Sequence, residues 1–124
     1  MNKYKRGDII LVNLDKSSKG SVQFGVRPCV IISNYITNSE RSRILNVIPV
    51  SSKNKNIPVH VKIAPHDIKG YLSEESFCMI EQIRTIDKSQ VLGKMGHIKD
   101  ESGIMEKINK AMTMQFEMMT DTEE

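Results

Sequence analysis

The sequence predicts a small, mainly β domain of the α+β kind, a barrel or strongly curved sheet with one C-terminal helix. Three observations carry this reading. Short apolar segments separated by polar turns recur through residues 7–98. One of them, residues 57–63, alternates strictly: Ile57, Val59, Val61 and Ile63 on one side, Pro58, His60 and Lys62 on the other. Beyond residue 100 the apolar period lengthens to that of a helix.

Taken in order, residues 7–14 form a first strand with Ile9, Ile10, Leu11 and Val12 in it. Residues 15–25 are a polar loop, because Lys-Ser-Ser-Lys-Gly-Ser holds nothing to bury. Residues 28–33 run continuously apolar, as a strand covered on both faces does. Residues 44–50 are a further strand, 51–56 a basic turn, and 77–86 a strand after the alternating one. A short strand follows near residues 94–98. Residues 101–119 place Ile104, Ile108, Ala111, Met112, Gln115, Phe116 and Met119 at helical spacing. Asp100 is the expected N-cap, and Gly103 weakens the start by roughly 1 kcal/mol relative to alanine. Five methionines in this helix suit either ordinary packing on the sheet or an added contact with a second copy. The whole reads as one domain over residues 1–119, with an acidic frayed tail at 120–124.

Composition excludes several classes. No apolar run is long enough to span a bilayer, and residues 1–8 lack the apolar centre of a signal peptide, so no membrane partner and a cytoplasmic location are expected. Cys29 and Cys78 sit in apolar stretches with no histidine beside them, which favours buried, reduced thiols over a disulfide or a nucleophile. His60, His66 and His97 show no metal-ligand spacing, so no metal site and no cofactor are expected. Net charge is +3, unevenly spread. Residues 1–62 hold 11 Lys or Arg against 3 Asp or Glu, and residues 63–124 hold 7 against 12. A basic half suits a polyanion, since each neutralised phosphate releases counterions, but scattered solvated charges would give the same count.

Four blocks then carry a resemblance. They are Arg6-Gly7-Asp8-Ile9, Gly25-Val26-Arg27-Pro28 leading into Val30-Ile31-Ile32-Ser33-Asn34, Pro58-Val59-His60-Val61, and Glu81-Gln82-Ile83-Arg84-Thr85-Ile86-Asp87-Lys88. In this order they resemble the MazF/PemK family of toxin endoribonucleases. The resemblance implies an SH3-like, CcdB-like curved barrel with a C-terminal helix, usually a homodimer. It implies sequence-specific cleavage of single-stranded RNA and a cognate MazE-like antitoxin that blocks the RNA groove. The family's catalytic arginine precedes the proline of its Arg-Pro pair, which is Arg27 here. Its catalytic Thr or Ser ends the next strand, which falls on Ser51, with Ser52 one residue away. Gln23, Phe24, Asn34, Ser52 and Gln82 are the expected RNA-binding positions. The loop before Arg27 reads Ser21-Val22-Gln23-Phe24-Gly25, where many relatives have Glu-Gln-Gly-Gly.

The chemistry fits these residue types. Metal-free cleavage uses the substrate's own 2′-hydroxyl, giving a 2′,3′-cyclic phosphate or 3′-phosphate and a 5′-hydroxyl. Arg27 offers a planar fork to the phosphoryl oxygens, and a serine hydroxyl can orient the 2′-OH. A guanidinium holds its proton too firmly to be a ready base near neutral pH, so His60 is a second candidate for that role. Blander readings stand beside these: a buried Arg27 paired with Glu81 or Asp8, Ser51 as a turn cap, His60 as an exposed strand histidine, Glu81, Gln82 and Arg84 as fold supports. Gln82 would read a base edge, and Phe24 would either stack on a splayed base or tuck onto the core. Two rival functions share the fold: a CcdB-like gyrase poison, which the lack of tryptophan opposes, and a catalytically silent binding module.

Overall fold

The computed structural model describes residues 3–14, 24–53 and 57–118. Eight strands follow one another: β1 (Asp8–Leu14), β2 (Gly25–Ile31), β3 (Ile44–Ser51), β4 (His60–Ile63), β5 (Ile68–Gly70), β6 (Ser76–Met79), β7 (Arg84–Asp87) and β8 (Val91–Ile98). One helix, α1 (Ile104–Gln115), follows them. The strands form a single antiparallel curled sheet in the order β4-β6-β3-β2-β1-β8-β5, with β7 also on β3.

The central strands are apolar on both faces because both faces are covered. Ile9, Val30, Ile48 and Val50 point into one core, which α1 closes with Ile104, Ile108 and Ala111. Ile10, Val12, Leu14, Cys29, Ile31, Leu45 and Val47 point into the other, together with Tyr4 and Ile86. Burying Ile104 and Ile108 stabilises the docked helix by about 2 kcal/mol each.

Five segments depart from the sequence expectations. The strand expected over residues 28–33 runs Gly25–Ile31 instead, because its pairing with β1 continues through Val12–Arg27 to Leu14–Gly25. The alternating segment is a strand only from His60, because Ile57–His60 closes a turn (His60 N–H to the Ile57 carbonyl, 2.9 Å) with Pro58 at its second position. The segment expected as one strand over residues 77–86 is split by a 3-10 turn at Ile80–Gln82. Its halves pair with β3 at Val50–Ser51 and at Ile44–Val47, and Pro49, which has no N–H for a ladder, lies opposite the break. The last strand begins at Val91 rather than near residue 94, and β5 pairs with it as an extra edge strand.

The helix starts later than expected, and Asp100 does not cap it. Residues Asp100–Ser102 make a 3-10 turn, and Gly103 precedes the helix at φ 78°, a conformation glycine adopts without a Cβ penalty. The Ser102 hydroxyl accepts the Ile104 N–H at 3.2 Å. At the other end the apolar stripe outruns the surface it covers: Phe116 is exposed and Gln115 is the last helical residue. Met119, the loop over residues 15–23, the turn over 54–56 and the tail at 120–124 lie outside the described residues.

Lys88, the last residue of the fourth resemblance block, acts as a staple. Its ammonium donates to the carbonyls of Asn38 (3.3 Å), Ser39 (2.6 Å) and Ser42 (2.6 Å), tying the connection between β2 and β3 to the end of β7.

Candidate functional site

Pairing of β2 with β3 decides what comes together. Arg27 lies opposite Val12 on β2, and Ser51 ends β3 opposite Phe77 on β6. Arg27, Ser51 and Ser52 line one groove of about 400 Å³, together with Tyr71, Glu74 and Met95. The structure therefore joins the two expected catalytic positions and the neighbouring serine in one place.

Arg27 is half-buried and its Nε donates to the Phe24 carbonyl at 3.0 Å. That bond engages one nitrogen of the guanidinium and orients its fork. Neither carboxylate proposed as its structural partner is near enough to pair with it. Asp8 is buried and accepts from the Lys5 N–H (2.8 Å), Lys94 Nζ (3.1 Å) and His97 Nδ1 (2.7 Å). Glu81 is held by His60, Nε2 to Oε2 at 2.8 Å. Arg27 thus makes no ion pair among the described residues.

The Ser51 hydroxyl accepts the Lys53 N–H at 3.2 Å. Ser51 is therefore a turn cap and a groove residue at once. Acceptance from the backbone occupies a lone pair and leaves the hydroxyl proton available to an acceptor in the groove.

The other expected positions fall elsewhere or beyond the described residues. Gln23 lies outside the described residues. Phe24 is 49% exposed and belongs to neither core, and its carbonyl holds Arg27. Asn34 caps the turn after β2, its Oδ1 accepting the Thr37 N–H at 2.9 Å, and lines a separate depression with Tyr4 and Tyr35. Gln82 sits in the 3-10 turn beside Arg84, 3.4 Å from Oε1 to Nη2. Neither Asn34 nor Gln82 lines the groove of Arg27.

His60 corrects the sequence reading twice. Its side chain is 3% exposed, so it is not an exposed strand histidine. It faces α1, lining a depression with Lys107 and Met114, and does not line the groove of Arg27. The strand face expected to be polar turns inward here because Glu81, from the 3-10 turn, meets the imidazole.

Sequence reasoning missed the wall formed by residues 71–74. Gly70 and Gly96 lie opposite each other where β5 meets β8. A Cβ on Gly70 would stand 2.2 Å from the Met95 carbonyl oxygen, and one on Gly96 would stand 2.3 Å from that of Lys69. This close crossing, locked by the Tyr71 N–H on the Met95 carbonyl (2.9 Å), delivers Tyr71 and Glu74 to the groove. Glycine inside a strand pattern signals such an approach of backbones.

The cysteines are inert by burial. Burial pushes the Cys29 thiol up to about 12, against the pull of the Arg84 and Arg27 guanidiniums, and burial alone does the same for Cys78. The folded protein therefore holds protons that an unfolded chain releases near pH 9. The stability these thiols lend is whole below pH 9 and is lost as pH rises toward 12. At pH 8 neither thiol reacts with Ellman's reagent in the native protein, and both react in denaturant; rapid native labelling would contradict the burial. Among the described residues no three His, Cys, Asp or Glu side chains gather as a metal site, and no helix is long and apolar enough to cross a membrane.

Comparison with known proteins completes the description. Residues 5–116 match the family model for the PemK-like, MazF-like toxin of type II toxin–antitoxin systems. The chain is 35% identical over 117 residues to Endoribonuclease EndoA of Bacillus subtilis, covering 93% of this chain and 96% of that one. It is 33% identical over 117 residues to Endoribonuclease MazF of Staphylococcus saprophyticus, covering 94% and 93%. Among solved structures, MazF from Deinococcus radiodurans superposes with a TM-score of 0.73 at 16% identity, covering 92% of this chain and 96% of that one. At that identity the likeness is one of fold.

Proposed function

This chain belongs to the PemK-like, MazF-like toxin family of type II toxin–antitoxin systems, and we propose that it is a sequence-specific endoribonuclease that cuts single-stranded RNA without a metal. The observation that carries this is the groove in which Arg27 and Ser51 meet. Two curated relatives at 35% and 33% identity are named endoribonucleases, which supports the same reaction here.

The groove's groups suit transesterification. The 2′-oxygen attacks the adjacent phosphorus, the bond from phosphorus to O5′ breaks, and a 2′,3′-cyclic phosphate forms beside a 5′-hydroxyl. Charge gathers on the two non-bridging oxygens, and the Arg27 fork is matched to them. Its guanidinium also gives a proton to the departing O5′ and regains one from water. The Ser51 hydroxyl donates to a phosphoryl oxygen or holds the 2′-OH in line. Regulation is by a cognate MazE-like antitoxin that covers the groove, and the active species is a homodimer.

The test is incubation of purified protein with a long single-stranded RNA in excess EDTA, with cut sites mapped by sequencing. Discrete cuts at one short motif support the proposal. A folded, antitoxin-free protein that leaves RNA whole, or that needs a divalent cation, refutes it.

The two serines are separable by the same assay. Ser51→Ala lowers the cleavage rate by roughly 10-fold or more, as for a hydrogen bond lost at the reacting phosphate, and Ser52→Ala changes it little. The reverse pattern would move the catalytic hydroxyl one residue along the chain.

A further inference from the structure

Removal of the 2′-OH proton needs an acceptor, and the groove offers few. Among the described residues its titratable groups are Arg27 from β2, and Tyr71 and Glu74 from the segment after β5. β3 contributes Val50 and Ser51, Ser52 follows it, β6 contributes Ser76 and β8 Met95, and none of these is a carboxylate or an amine. A guanidinium and a phenol both carry their protons at neutral pH. A carboxylate does not. The other carboxylates near the sheet are engaged: Asp8 with His97 and Lys94, Glu81 with His60, Glu75 with Lys62 at 3.3 Å, Asp67 with the Ala64 N–H at 2.8 Å and Asp87 with the Ser89 N–H at 2.8 Å. Glu74 is exposed and makes no ion pair among the described residues.

We propose that Glu74 is the general base of this site, taking the 2′-OH proton as the 2′-oxygen attacks. The inference rests on the ribonuclease reading above. In the step, the 2′-oxygen to phosphorus bond forms while the phosphorus to O5′ bond breaks. The 2′-OH proton passes to a Glu74 oxygen, and O5′ leaves with the proton given by Arg27. Glu74 then returns its proton to water, and Arg27 takes one back, so the groove is restored. The two charges divide the work: the cation meets the charge that grows on the phosphoryl oxygens, and the anion meets the proton that must leave.

The backbone places Glu74 for this. The crossing of Gly70 over Gly96 fixes Tyr71, and the Ser76 hydroxyl donates to the Glu74 carbonyl at 3.0 Å, pinning the far side of the turn. The carboxylate is thus carried on a segment held at both ends.

The test uses a short oligoribonucleotide containing the mapped cut site, in single-turnover reactions from pH 4 to pH 8. The wild-type rate falls on the acid side as the base is protonated. Glu74→Gln cuts about 10²-fold more slowly at pH 7 and loses that acid limb, and Glu74→Asp recovers part of the rate. Its affinity for the oligonucleotide with a 2′-deoxy sugar at the cut site stays within about twofold of wild type, since the loss lies in the step and not in binding. An unchanged rate in Glu74→Gln overturns the inference, as does a slowed rate that keeps the acid limb. A wild-type protein that cuts nothing overturns the ribonuclease reading as well, and is told apart because no variant is then needed.

Discussion

Arg27→Ala lowers the rate of RNA cleavage by at least about 10²-fold, a loss on the order of 3 kcal/mol of transition-state stabilisation. The magnitude follows from what the guanidinium does. In the proposed reaction it is a preorganised charge donor on a strand, half-buried, with Nε already committed to the Phe24 carbonyl. A donor fixed before the reaction costs no reorganisation when the charge develops. The fold survives the change, because the side chain makes no ion pair among the described residues and one backbone bond is all that is lost with them. Thermal unfolding of the variant therefore falls within a few degrees of wild type while single-turnover cleavage collapses. Arg27→Lys discriminates further: it keeps the charge but loses the planar fork and the Nε bond, so it recovers only a small part of the rate. Cleavage at near wild-type rate by Arg27→Ala would remove Arg27 from the reaction.

How much of this was legible in the sequence depended on whether a feature was local. β1 and β3 were readable because each is mostly a run of apolar residues whose neighbours in space are also apolar, whereas only the apolar end of β2 was, its Gly25–Arg27 start having been read as loop. The helix was readable from Ile104, Ile108 and Ala111, although its ends were not: a positive φ at Gly103 and a Ser102 hydroxyl set the start, where Asp100 has the better capping chemistry on paper. His60 misled because alternation gives sides but not depth. A strand position that reads as polar is buried when a carboxylate from a distant turn comes to meet it, as Glu81 does. Arg27 and Ser51 were singled out by motif resemblance, and the pairing of β2 with β3 supplies the physical reason they share a groove. Glu74 was invisible because its arrival depends on β5, a three-residue edge strand with one buried side chain and no period to detect. The two glycines opposite each other were the available sign, and they become a sign only once the register of β5 on β8 is known.

That crossing carries the largest stability prediction. Gly70→Ala destabilises the protein by roughly 3–5 kcal/mol, because strain and overlap add. At φ 127° an alanine sits in backbone space that L side chains rarely enter, and its Cβ would be 2.2 Å from the Met95 oxygen and 2.5 Å from the Gly96 Cα. Both obstacles are backbone, which cannot rotate away as a side chain does. Gly96→Ala has the overlap, 2.3 Å from the Lys69 oxygen, without the positive φ, so it costs less, roughly 2–3 kcal/mol. Gly103→Ala is the converse control: a φ of 78° with nothing within 4 Å of the new Cβ, so strain acts alone at about 1 kcal/mol. Urea denaturation of the three variants orders them, and equal midpoints for Gly70→Ala and Gly103→Ala would show that β5 does not approach β8 this closely. A folded fraction of Gly96→Ala would also cut RNA slowly, because relieving the overlap pushes β5 outward and draws Tyr71 and Glu74 away from Arg27. Stability and the proposed catalysis meet at this crossing: the contact that closes the edge of the sheet also builds the second wall of the groove.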